Sequence, residues 1–130
     1  MTVNLSLSKS YAVVFGAVYT LVGILGFFVS TTLASADLIV FPVNVLHNIA
    51  HLALIGIPGL VAYFTGRTVG YARVMAVLFA ILVVAGFLPQ PFLGIIPLGG
   101  WDIALHALSG IAAAAAGWLA YGAVRRPSTV

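Results

Sequence analysis

Four apolar stretches, each close to the length that crosses a bilayer, occupy most of this chain: Tyr11 to Val29, Val43 to Phe64, Tyr71 to Leu88 and Trp101 to Tyr121. A helix rises about 1.5 Å per residue, so roughly 20 apolar residues span a hydrocarbon core about 30 Å thick. The 130 residues carry only five Lys or Arg and two Asp or Glu against 63% hydrophobic residues, too little charge to solvate a globular surface. A mean hydropathy of +1.23 agrees. The expected fold is all-α: one polytopic membrane four-helix bundle over residues 1–130, covered by the lipid bilayer.

The cations orient it. Lys9 precedes the first span, Arg67 and Arg73 flank the turn between the second and third, and Arg125 and Arg126 follow the fourth. All five fall on one side, which the positive-inside rule makes cytoplasmic, together with both termini. Asp37 and Asp102 then face outward. The polar stretch Ser30 to Asp37 and the segment Pro89 to Gly100 connect the outer ends, and Gly66 is available to stop the second helix. Lys9, the first apolar run and Ala34-Ser35-Ala36 imitate a cleaved signal peptide, but the run is longer than the usual apolar region of roughly 7 to 15 residues. The first span is therefore expected to stay.

The basic residues are scattered at span ends, so the net charge of +3 does not indicate nucleic acid. No cysteine is present, which removes disulfides, thiolate metal sites and thiol nucleophiles. No nucleophile elbow, phosphate loop, dinucleotide fingerprint or paired-carboxylate arrangement occurs, and no enzymatic activity is expected.

The chain also repeats itself. At an offset of 60, Tyr11 matches Tyr71, Tyr19 matches Phe79 and Gly26 matches Gly86; at an offset of 55, Pro42 matches Pro97, His47 matches Asp102 and His51 matches His106. Each half is a helical hairpin, and the two are expected to be parallel repeats about a pseudo-twofold axis along the membrane normal. Gly16, Gly23 and the Ala112 to Gly117 stretch are expected at close helix contacts, where packing substitutes for the missing hydrophobic drive.

Polar residues inside the spans concentrate at their outer ends: Asn44, His47, Asn48 and His51 before and within the second, Asp102 and His106 in the fourth. The spacing of four puts His47 and His51 on one helix face, and likewise Asp102 and His106. With Asn44 as cap, His51 lies roughly 10 Å into the membrane, where an unpartnered polar group is costly. Three readings compete. The cluster is internal glue between helices; or His47, His51, Asp102 and His106 bind a divalent metal such as zinc; or His51 and His106 are ligands to a haem or chlorin. Proton or solute passage is a fourth, though only the outer half has ionisable groups.

Pro58, with Gly56 and Gly59, is expected to kink the second span, and Trp101, Trp118, Tyr63 and Tyr121 to anchor span ends at the interfaces. The apolar Pro89 to Gly100 loop suits the outer membrane surface, a cap on the bundle or a contact with a partner subunit.

The motifs Asn44-Val45-Leu46-His47-Asn48-Ile49-Ala50-His51-Leu52 and Ile96-Pro97-Leu98-Gly99-Gly100-Trp101-Asp102-Ile103-Ala104-Leu105-His106, with Tyr11-Ala12-Val13-Val14-Phe15-Gly16 and its echo at Tyr71, resemble the uncharacterised bacterial membrane family called domain of unknown function 4383. The resemblance implies a small four-span protein of the bacterial inner membrane with no established activity. Gly99 departs from it, since the family usually has Asn there, at the position equivalent to Asn44. If that Asn completes a polar network, the network is weaker on one side. The function expected is a structural module or an accessory subunit, meeting a membrane-protein partner or another copy of itself, without a cofactor; metal or haem binding by the same cluster is the alternative.

Overall fold

The computed structural model describes residues 3–119. Tyr121, Arg125 and Arg126 lie outside them. The first helix, α1, runs Val3–Phe27; α2 is Val45–Thr65, α3 Thr68–Gly86 and α4 Trp101–Leu119, and all four contain a stretch long and apolar enough to cross a membrane. This is the expected all-α, four-span fold.

Local chemistry sets the boundaries. Asn44 is the cap of α2: its backbone is extended and its Oδ1 accepts the His47 N–H at 3.0 Å. Gly66 stops the helix in the left-handed region at φ 72°, returning its N–H to the last turn. Between these ends, His51–Gly56 winds as a π-helix before Pro58, with the Ile57 N–H reaching back to Leu52 O. Proline has no N–H to give the helix, and wider turns upstream absorb the mismatch. The expected kink takes the form of this change in winding, and α2 is not interrupted.

Small residues permit the helices to approach. A Cβ on Gly16 would stand 2.8 Å from the Leu60 backbone nitrogen, one on Gly23 2.8 Å from the Leu52 side chain, and one on Gly117 2.9 Å from Arg73 Cγ. Gly56 is closed off in the same way by Thr20. The core between the helices is aromatic and alanine-lined, with Tyr11, Tyr19, Met75 and Phe79 packed on Ala12, Ala72, Ala113 and Ala116. Outward, Val14, Leu21, Val61, Val74, Ile81 and Ile111 are exposed, an apolar surface of the kind lipid covers.

The structure adds one element that hydrophobic periodicity does not announce. Between α1 and α2, β1 (Ala36–Leu38) pairs antiparallel with β2 (Phe41–Val43), matching Asp37 with Pro42. Ile39, at its tip, takes φ 63°.

Several residues matched by the internal repeat touch one another across the halves. Ser8 Oγ and Thr68 Oγ1 are 2.8 Å apart, the Tyr11 and Tyr71 ring centres 5.9 Å, and the Tyr19 and Phe79 ring centres 5.6 Å. Asn48 packs on Gly26 as Ile103, its match at an offset of 55, packs on Gly86. The Ser8 contact also brings the start of α1 beside the α2–α3 turn, so Lys9, Arg67 and Arg73 share one end of the bundle. The β hairpin and the start of α4 form the other end.

Candidate functional site

Beneath the hairpin end, α2 and α4 bring every sequence-predicted polar residue inside the bundle. Asn44, His47, Asn48, His51, Asp102 and His106 are each at most 2% exposed. One helical turn separates His47 from His51, and their Nε2 atoms face each other at 3.0 Å, so one donates to the other. From α4, Asp102 Oδ2 stands 3.3 Å from the same His47 Nε2. His106, one turn further along α4, completes a set of three imidazoles whose ligand-capable nitrogens all lie within 4.8 Å of one another. Sequence spacing had put the two pairs on single faces; the fold turns those faces toward each other.

The supports divide into satisfied and unsatisfied groups. Asn44 does three jobs: its Oδ1 caps α2, while its Nδ2 donates to Leu33 O at 3.1 Å and Ile95 O at 2.7 Å, joining both outer connections. Asn48 donates from Nδ2 to Ser30 O at 3.0 Å. By contrast, the Nδ1 atoms of His47, His51 and His106 and both oxygens of Asp102 are buried without a hydrogen bond from any described residue. The carbonyls of Pro42 and Pro97, themselves a repeat pair, lie beside the His47 ring.

Gln90 is a functional support that sequence reading missed. Its Nε2 donates to Ala85 O at 2.9 Å and Leu88 O at 3.0 Å, and its Oε1 accepts Leu98 N–H at 2.8 Å, so it caps α3 and pins the Pro89 to Gly100 loop over the site. A Cβ on Gly99 would stand 2.9 Å from Gln90 Cγ. Gln90 thus occupies the space that a side chain at position 99 would need. The signal available was a single amide between two prolines.

Tyr19 and Ser109 were also missed. Their hydroxyls are 2.9 Å apart, and the Tyr19 ring meets the His51 ring edge-on at 5.1 Å. Phe79 lies 5.6 Å from the His106 ring on the other side. A cavity of about 200 Å³ bounded by α1, the hairpin and α4 reaches the cluster, its walls including Tyr19, Leu38, Phe41 and Val43 with His51 and Asp102 at the polar end. The larger grooves along α3 and α4 are almost wholly apolar and face outward.

At the opposite end Arg73 turns along the bundle, its Nε donating to Gly117 O at 2.9 Å and its guanidinium 5.5 Å from the Trp118 ring centre. Trp101, Trp118 and Tyr63 are exposed at helix ends, where interfacial anchors belong.

No curated protein and no solved structure matches the chain. Residues 9–119 match the model of a family described as a domain of unknown function, DUF4383, with the cluster, its caps and all four spans inside the match, and the chain belongs to that family.

Proposed function

We propose that this protein is a non-enzymatic module of the bacterial cytoplasmic membrane, acting alone or as an accessory subunit of a larger complex, in which the His and Asp cluster fastens two helical hairpins together. The observation that carries this reading is the meeting of His47 from the first hairpin with Asp102 from the second at 3.3 Å, with both side chains buried. Removing either partner breaks the contact between the hairpins and leaves a buried polar group short of a partner. The contacts between repeat-matched residues support a pseudo-twofold relation of the halves. The apolar outer faces suit lipid or a partner's helices, and the three cations at one end support a cytoplasmic α2–α3 turn.

A haem or chlorin held between His51 and His106 has less support, because Tyr19 and Phe79 fill the flanks of those rings. The expected absorption spectrum of the detergent-purified protein has no Soret or chlorin band, and a stoichiometric band would overturn this.

The test is a double-mutant cycle on His47→Ala and Asp102→Ala, read as unfolding free energy in micelles with chelator present. Each variant loses stability, and the pair couples by about 0.6 kcal/mol or more, the size measured for polar contacts between membrane helices. Additive losses would remove the fastening role.

A further inference from the structure

The cluster is poorly built as pure hydrogen-bonded glue. A buried carboxylate is stabilised by donors, yet neither Asp102 oxygen receives a hydrogen bond from a described residue, although the side chain is 1% exposed. His47 Nε2 stands 3.3 Å from Asp102 Oδ2 and 3.0 Å from His51 Nε2, so one imidazole nitrogen is shared between the carboxyl group and a second imidazole. Taking a carboxylate out of water with only this contact from the described residues is costly for a bundle.

We propose that His47, His51, His106 and Asp102 bind one divalent transition-metal ion of the zinc class. The proposal deepens the fastening role and rests on it: the ion is the part of the clasp that joins α2 to α4. Two ligands about 2.0 to 2.1 Å from a tetrahedral ion stand about 3.3 Å apart. His47 and Asp102 are at 3.3 Å, and His47 and His51 at 3.0 Å. One nitrogen from each of the three histidines lies within 4.8 Å of the other two, so side-chain rotations bring them onto one centre. Three neutral imidazoles and one carboxylate form a borderline-hard donor set, which suits zinc and does not suit calcium or magnesium. The carboxylate's charge then has a counter-ion, and a cavity of about 200 Å³ lies against His51 and Asp102.

The test uses the full-length protein in detergent, stripped with chelator and titrated with zinc or with cobalt(II) as a visible probe. About one ion per chain is expected, with tetrahedral cobalt bands that zinc abolishes, and a melting temperature that rises with metal. His47→Ala and His106→Ala lose the ion and the rise; Asp102→Asn, which keeps the shape, binds about 10- to 100-fold more weakly. X-ray absorption of the zinc-loaded wild type, which needs no variant to fold, should show three imidazoles and one oxygen donor. A wild type that binds no more zinc than the chelated sample, or variants that bind as it does, overturns the metal site. The His47 and Asp102 coupling measured under chelator survives that result if the fastening role is right, so the two readings fail separately.

Discussion

Single residues in this bundle are governed by whether a side chain has room, and two glycines separate the cases. Gly26 in α1 is where the Asn48 amide sits; a methyl there displaces that amide and breaks its bond to Ser30 O. Gly70 in α3 has open space where a Cβ would go and an ordinary helical backbone. Gly26→Ala should therefore lower unfolding free energy by about 1 to 3 kcal/mol, through overpacking and a lost buried bond. Gly70→Ala should raise it by about 0.5 to 1 kcal/mol. Thermal or denaturant melts in micelles check both, and equal effects would show that the Asn48 pocket does not matter. The polar cluster was legible at this scale because His and Asp inside an apolar run have few bland explanations. Tyr19, Tyr71 and Gln90 were not: a tyrosine at a span reads as greasy or interfacial, and nothing local says that its hydroxyl reaches Ser109 or Ile55.

At the scale of elements, length and hydropathy predicted the spans, since a bilayer crossing imposes its own ruler, and the proline in α2 announced some departure from plain α winding. The kind of departure was not readable, because a π turn depends on which carbonyls find donors from other helices. Tyr71 supplies one, its hydroxyl donating to Ile55 O at 2.7 Å inside the π segment. Tyr71→Phe keeps the packing and removes that bond, and should cost about 0.5 to 1.5 kcal/mol in the same melts. The β hairpin was illegible for a different reason: its turn carries Ile39 at φ 63°, where Asn, Asp or Gly is the usual signal. A β-branched residue in that region is strained by about 1 to 2 kcal/mol. Ile39→Asn, 85% exposed and outside the cluster, should recover part of that and raise the melting temperature. A fall instead would mean that Ile39 packs into the membrane.

For the whole molecule, the deciding question is which end faces the cytoplasm, because that end determines from which side the cluster meets its surroundings. The even number of spans was visible in the sequence, while the touching of residues that sequence offsets had matched needed three dimensions. Orientation rests on cation placement: Lys9, Arg67 and Arg73 are at one end, the hairpin, Asp102 and the cluster at the other. The chain has no cysteine, so single reporters can be introduced without background. Ile39→Cys at the hairpin tip and Thr65→Cys at the end of α2 are both at exposed positions and at opposite ends. On intact cells a membrane-impermeant maleimide should label Ile39→Cys and leave Thr65→Cys unlabelled until the cells are opened. That pattern places the cluster under the outer leaflet, so a metal or a partner would reach it from outside. The reverse pattern would mean that the cations do not direct insertion here, and that the cluster and its cavity answer to the cytoplasm instead.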